Sequence, residues 1–240
     1  APAGTINHQG ETYMKKIDTL LFDFDGTVMN SNNVIINSWQ HTFRTLENRE
    51  EKLENIVRTF GEPLEATMKK FFPAVPVAES VEIYRSYHRD NFGEMITVFP
   101  GMKELLHTLH EQEYKLGLVT SRLKRTTMQG LEKYGLLPYF SAVVTADDTK
   151  KHKPDPEPVY IALEKLNASP EASMMLGDTM FDIGCARNAG VASVLVGWAV
   201  AVTEEAGSAE AAVKKFWQMT RTEKAGKHTA RLHVSRLISL

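Results

Sequence analysis

The sequence predicts an α/β fold: a Rossmann-like open parallel sheet with an inserted all-helical cap. Three observations carry that reading. Five short apolar runs lack polar alternation, the segments between them repeat apolar residues every three or four positions, and one connection is far too long for a single crossover. The runs are Thr19-Leu20-Leu21-Phe22, Lys115-Leu116-Gly117-Leu118-Val119, Ala142-Val143-Val144, Ser173-Met174-Met175-Leu176 and Ala192-Ser193-Val194-Leu195-Val196. Such runs read as strands covered on both faces. Met102, Leu105, Leu106 and Leu109 make one helical stripe, and Val159, Ile161, Leu163 and Leu166 a broader one. Strand and helix in alternation give βαβ units with right-handed crossovers.

The long connection spans 97 residues, from Asp23 to Thr120, where a βαβ unit needs only about thirty. Its excess shows no strand pattern. It reads as amphipathic helices at residues 35–46, 53–60, 64–72 and 81–92, interrupted by Gly61, Pro63, Pro73 and Pro76, before Pro100-Gly101 returns the chain to the sheet. The expected organisation is a discontinuous core of residues 14–29 and 95–202, a helical cap of residues 30–94, and a divergent C-terminal tail of residues 203–240. Residues 1–13 carry no periodic signal.

Composition narrows the function classes. With 42% hydrophobic residues, 24% charged residues and a net charge of −2, the chain is an ordinary folded one and no generic polyanion binder. From Lys214 onward there are seven Lys or Arg against one acid, but only Phe216 and Trp217 offer stacking platforms. That tail reads as a solvated or partly helical terminus, not as a nucleic-acid surface. The single cysteine, Cys185, excludes an intrachain disulfide framework and a multi-cysteine zinc site, and fits a reducing compartment. There is no run of about eighteen apolar residues, and the first ten residues lack the basic-then-apolar order of a signal peptide. The expectation is a cytoplasmic monomer or homodimer with no membrane or nucleic-acid partner.

Polar residues stand where the apolar runs end. The first run leads into Asp23-Phe24-Asp25-Gly26-Thr27 and the second into Thr120-Ser121; Lys153-Pro154 comes after the third, and the fourth enters Gly177-Asp178 with Asp182 four residues on. Open α/β sheets bind ligands beyond the carboxyl ends of their strands, so these residues converge on one place. Asp23, Asp25 and Asp178 form an oxygen-only set that would repel itself without a cation, which points to Mg²⁺. The competing reading is three helix-capping carboxylates; the placement of Asp-x-Asp directly after an apolar strand argues against it. With a metal and a phosphate in place, Asp23 would attack phosphorus, and Asp25 would serve as acid and then base. Gly26 allows close backbone approach, Thr120 and the Ser121 backbone donate hydrogen bonds, and Lys153 adds positive charge. Asp182 would orient Lys153 or a metal-bound water.

These four segments, Asp23-Phe24-Asp25-Gly26-Thr27, Leu118-Val119-Thr120-Ser121, Lys153-Pro154-Asp155-Pro156 and Gly177-Asp178-Thr179-Met180-Phe181-Asp182, resemble the four ordered motifs of the haloacid dehalogenase superfamily. The match covers residues 17–202, with a helical cap where the phosphoglycolate-phosphatase-like branch carries one. The resemblance implies a Rossmann-like core, Mg²⁺ held by Asp23, the Asp25 carbonyl and Asp178, and a phosphate site that includes Gly26, Thr27, Thr120, Ser121 and Lys153. Asn30-Ser31-Asn32, Ile35, Ile36, Ser38, His41-Thr42, Gly61-Glu62-Pro63-Leu64 and Lys153-Pro154-Asp155-Pro156-Glu157-Pro158 are similar to the inorganic pyrophosphatases of that branch. The segment after Val202 departs from the last strand expected of the family.

The function expected is a Mg²⁺-dependent phosphohydrolase acting on a small anionic phosphate, pyrophosphate or a phosphoglycolate-type compound. Arg58, Lys69, Lys70, Arg85, His88 and Arg89 of the cap are candidate selectivity residues. Two other readings stand beside it. A sugar-phosphate mutase shares the parts, but its relatives usually carry an acid where Gly177 stands. A phospho-accepting receiver domain also uses Asp, Mg²⁺, Thr and Lys, but is about half this length. His107 and His110, three apart on a helix, read as surface residues, and Cys185 as a packed thiol. Ser121 lies in no nucleophile elbow, and neither a P-loop nor a dinucleotide-binding glycine pattern is present.

Overall fold

The computed structural model describes residues 17–199 and, nearer the N-terminus, the backbone of two short antiparallel strands, β1 (Thr5–Ile6) and β2 (Thr12–Tyr13). Two-residue strands are too short to leave a periodic signal, so residues 1–13 read as featureless from sequence. The basic tail of residues 203–240 lies outside the described residues.

The sheet is built on β3 (Thr19–Phe22). A short strand β4 (Met29–Asn30) comes next, then helices α1 (Asn32–Glu47), α2 (Leu53–Val57), α3 (Leu64–Phe71) and α4 (Val77–Met95), and then β5 (Thr97–Val98). The chain continues through α5 (Met102–Glu111), β6 (Lys115–Val119), α6 (Lys124–Lys133), β7 (Ala142–Val144), α7 (Glu157–Leu166), β8 (Ser173–Gly177), α8 (Met180–Asn188) and β9 (Ala192–Leu195). All five apolar runs are strands. They pair in the order β7-β6-β3-β8-β9, every neighbouring pair parallel.

Side chains alternate across this sheet, as the two-residue period of a strand requires. Leu20, Phe22, Leu116, Leu118, Met174 and Leu176 face one layer, where they meet Met102, Leu106 and Leu109 of α5 and Leu131 of α6. Leu21, Val119 and Met175 face the other, against Val159 and Leu163 of α7 and Cys185 and Ala186 of α8. Two helical layers therefore cover the two sheet faces, three layers in all. Gly117 is required in that packing, because a Cβ there would lie 2.7 Å from Leu21 Cδ2.

The four cap helices close around a separate core of Trp39, Phe43, Ile56, Met68, Phe72, Val81 and Tyr84. Their bounds differ from the sequence reading: α1 begins three residues earlier than expected and ends one later, and α3 ends one residue sooner. The helix expected at residues 53–60 stops at Val57, because residues 58–61 turn into a glycine at φ +83°. The one expected at residues 81–92 runs from Val77, just after Pro76, to Met95. The insertion leaves and rejoins the core through β4 and β5, which pair antiparallel with Met29 opposite Val98. Among the described residues no helix is long and apolar enough to cross a membrane.

Candidate active site

The strand register decides which polar groups meet. Phe22 lies level with Leu118 on one side and Leu176 on the other, so the residues just past each strand emerge together. The Asp23 N–H donates to the Leu176 carbonyl at 2.9 Å and the Thr120 N–H to the Val144 carbonyl at 2.9 Å, which anchors both at the sheet's rim. Between this rim and the cap lies a cavity of about 530 Å³. Asp23, Asp25, Gly26, Thr120, Ser121, Lys153, Asp178 and Asp182 all line it. Thr27 does not: it is fully buried and its hydroxyl has no partner.

Lys153 is the electrostatic hub. Its Nζ donates to Asp23 Oδ1 at 2.7 Å and to Asp182 Oδ1 at 2.6 Å, with all three side chains buried. Burial works to lower the Lys153 pKa, but the charges of Asp182 and Asp23 outweigh it and hold the ammonium protonated well above its ordinary range. The second oxygen of Asp182 accepts from the backbone N–H and hydroxyl of Thr179, at 3.0 and 2.7 Å, and closes the N-terminus of α8. Asp182 thus caps a helix and orients the lysine at once. Gly177 makes room for it: a Cβ at 177 would lie 2.2 Å from Asp182 Cβ.

Asp23 and Asp178 are buried carboxylates pushed toward their neutral forms. Burial raises Asp23 to about 7, with Lys153 opposing and Asp182 and Asp25 adding to the rise. Burial likewise raises Asp178 well above the carboxylate range, and the charges of Asp23 and Asp182 raise it further. Asp178 Oδ1 is buried without any hydrogen-bond partner. Such an orphaned acceptor is costly unless a cation completes it. Gly26, at φ +76°, leaves the space beside it open, since a Cβ there would fall 2.0 Å from Asp178 Oδ2.

Carboxylate oxygens of Asp23, Asp178 and Asp182 come within 4.8 Å of one another. Both oxygens of Asp182 are already engaged by Lys153 and Thr179, so the donors that fit a divalent ion are Asp23 and Asp178. The Asp25 carboxylate stands apart from that set.

Arg122 explains why, and sequence reasoning missed it. Its Nε and Nη2 donate to Asp25 Oδ2 and Oδ1, both at 2.8 Å. Nη2 also lies 3.1 Å from His88 Nε2, and the guanidinium carbon is 4.4 Å from the centre of the Phe92 ring. Burial works to raise Asp25, but the charge and hydrogen bonds of Arg122 prevail and hold its carboxyl below the usual range. Burial and the Arg122 charge push His88 down to about 3, so its ring is neutral. The available signal was position: Arg122 comes directly after Thr120-Ser121 in the same strand-end turn.

Of the cap cations singled out from sequence, Arg85, His88 and Arg89 line the cavity. Arg58 instead pairs with Glu54, and Lys70 with Glu62 at 2.8 Å. Lys69 is exposed and off the cavity wall. His107 and His110 are exposed beside Tyr139, and the buried Cys185 thiol donates to the Asp155 carbonyl at 3.0 Å.

Comparison with known proteins agrees with this geometry. The sequence profile described as haloacid dehalogenase-like hydrolase matches residues 20–196. The chain belongs to the haloacid dehalogenase-like hydrolases. A curated relative, the pyrophosphatase PpaX of Halalkalibacterium halodurans, is 37% identical over 185 residues, 77% of this chain and 86% of that protein. A solved structure of a phosphoglycolate phosphatase from Lactobacillus plantarum, so named provisionally, superposes with a TM-score of 0.70 at 25% identity, covering 92% of this chain and 99% of that one. A Thermotoga maritima protein titled a β-phosphoglucomutase shares the fold, with a TM-score of 0.60 at 24% identity over 75% of this chain and 85% of that one. This haloacid dehalogenase-like hydrolase is an enzyme, a phosphatase.

Proposed function

We propose that the enzyme hydrolyses pyrophosphate, or a small phosphate of similar charge, through an aspartyl-phosphate on Asp23. The observation that carries this reading is the buried Asp23–Lys153–Asp182 chain set against Asp178, whose Oδ1 has no partner. Asp23 and Asp178, with the Asp25 carbonyl, would hold Mg²⁺, which supplies positive charge to balance the carboxylates and the phosphate oxygens.

The residues of this chain then divide the work. An Asp23 oxygen bonds to phosphorus as the bond to the leaving oxygen breaks; where that oxygen needs a proton, Asp25, which Arg122 holds ionised, first takes one up from solvent and passes it on. Water then attacks the phosphorus, Asp25 takes a proton from it, and the carboxylate of Asp23 is released. Lys153 stays protonated and faces the charge that develops on the equatorial oxygens. Thr120 and the Ser121 backbone, which line the same cavity, offer hydrogen bonds. The cap closes over the rim and limits water during the first transfer.

Two observations favour pyrophosphate: the 37% identical relative bears that activity in its name, and Arg85, Arg89 and Arg125 join Lys153 around the cavity. The mutase's relatives usually carry an acid where Gly177 stands, and a Cβ there would lie 2.2 Å from Asp182 Cβ. The lone, buried Cys185 fits a cytoplasmic location. A phosphate-release screen over pyrophosphate, phosphoglycolate, hexose phosphates and nucleoside monophosphates, with and without Mg²⁺, tests the reading. Rapid Mg²⁺-dependent release from pyrophosphate supports it; release from none of them, or isomerisation of a hexose phosphate instead, overturns it.

A further inference from the structure

Arg122 lies between the two halves of the molecule. Its backbone belongs to the turn after β6, where its N–H donates to Thr120 Oγ1 at 3.1 Å. Its guanidinium reaches Asp25 on one edge, with two hydrogen bonds of 2.8 Å. On the other side it meets α4, with His88 Nε2 at 3.1 Å and the face of Phe92, and the ring of Phe24 from the core lies at 5.6 Å behind. The side chain is only 8% exposed.

The α4 contacts are themselves ordered. Tyr84, His88 and Phe92 stack along the helix at four-residue spacing, with ring centres 5.9 and 5.4 Å apart. Tyr84 continues into the cap core against Trp39 at 5.0 Å. The plane of the guanidinium is therefore set by rings of α4, of which Phe92 packs into the sheet-domain core beside Phe24, while the two oxygens it grips belong to the loop after β3. A planar fork that both pairs with a carboxylate and stacks on aromatic rings is a property of arginine that lysine lacks.

We propose that Arg122 is the positioning residue for Asp25, and that it makes the placement of that carboxylate depend on α4 being seated on the core. The inference rests on the role given to Asp25 above. Arg122 acts through Asp25: it turns the carboxyl so that an oxygen faces the cavity, where it can pass a proton it has taken up to the leaving oxygen and, in the second step, accept one from water. When the cap end of α4 lifts, the guanidinium loses His88 and keeps only the Phe92 face, and Asp25 loses part of what fixes its direction.

The test is the leaving-group dependence of turnover. General acid assistance is worth about 10²–10⁴-fold where the leaving oxygen is basic and little where it is not. Wild type, Arg122→Lys and His88→Ala are assayed with Mg²⁺ on p-nitrophenyl phosphate and on phenyl phosphate, whose leaving oxygen is the more basic. Arg122→Lys is expected to lower kcat on phenyl phosphate about tenfold more than on p-nitrophenyl phosphate, with KM changed less than about threefold. His88→Ala leaves the Asp25 pair in place and removes a contact from the cap, so it is expected to show the same split in weaker form. It also serves as the second reading should Arg122→Lys melt below the assay temperature. Equal losses on both esters, or a change in KM alone, would overturn the proposal and leave Arg122 a structural ion pair. Wild-type inactivity on every phosphate, pyrophosphate included, would instead overturn the proposed function.

Discussion

Lys153 and Asp23 form a buried ion pair, Nζ to Oδ1 at 2.7 Å, across 130 positions of sequence. The pairing keeps the carboxylate that faces the cavity partly neutralised and fixes its direction. Asp23→Asn preserves the shape and leaves an oxygen for Lys153, so the fold is expected to survive. Turnover is expected to fall by at least about 10³-fold. Phosphate release and a thermal melt on the same preparation check both halves; a variant that keeps substantial turnover removes Asp23 from the nucleophile role.

The pH dependence of stability arises from the same carboxylates. Asp23 titrates at about 7 in the folded chain against an ordinary 3.8, so between those values the folded state binds more protons than the unfolded one. The stability that Asp23 contributes without metal is therefore fully present below the lower value and is lost as the pH rises through about 7. Asp178, shifted in the same direction by burial, adds to the loss. A divalent cation relieves both. At 100 times its dissociation constant, Mg²⁺ is expected to raise the melting temperature at pH 8 by about 5–10 °C, and by much less at pH 5.5. Asp178→Asn is expected to abolish that Mg²⁺ response and to stabilise the metal-free protein above pH 7. Melting curves across pH, with Mg²⁺ or EDTA, decide it.

Asp182 supports Lys153 from the side away from Asp23. Removing it leaves a buried ammonium with half its partners and the start of α8 uncapped. Asp182→Ala is expected to cost about 3–5 kcal/mol of stability as well as turnover. Denaturant titration measures the first; unchanged stability would show that the lysine finds other partners.

Among the described arginines, Arg85, Arg125 and Arg187 have no carboxylate within ion-pair distance, and the first two line the cavity. Arg85 comes from the cap and Arg125 from α6 of the core. If they receive the phosphate that is not transferred, alanine at either position lowers kcat/KM for pyrophosphate about tenfold more than for p-nitrophenyl phosphate, which lacks that second group. Parallel losses on the two substrates would exclude this role.

Gly61 carries the cap onto the core at a second point. It sits at φ +83°, and a Cβ there would come within 2.9 Å of both Phe181 Cδ2 and Thr179 Oγ1. Gly61→Ala combines backbone strain of about 1–2 kcal/mol with that clash. The expected result is a drop of about tenfold or more in kcat/KM with the sheet domain still folded, read by kinetics beside circular dichroism.

The sheet was legible because its strands are covered on both faces and so consist of unbroken apolar residues. The candidate site was legible because parallel strands in register bring their carboxyl-end residues to one rim, which places Asp23, Thr120 and Asp178; Lys153 comes later, in the loop between β7 and α7. The illegible part depends on direction more than on placement. Asp25 leaves the same strand as Asp23, yet its side chain turns to Arg122, a pairing that spacing does not encode. Arg58 and Lys70 lie on or beside helices whose inward faces are decided only by packing, and both turn to glutamates of their own cap. Thr27 is one residue beyond the tight Gly26 turn, which buries it. The β4–β5 pair has two residues in each strand, and no pattern that short rises above chance.

Because β4 and β5 lie side by side, everything between them begins and ends at a single doorway in the core. Residues can be added, lost or exchanged inside that excursion without altering the spacing of the parallel strands or the loop that carries Asp23. An exchanged cap must nevertheless bring its own partners for Arg122, because His88 and Phe92 lie inside that excursion, so substrate preference and bond-breaking chemistry stay tied at that one contact.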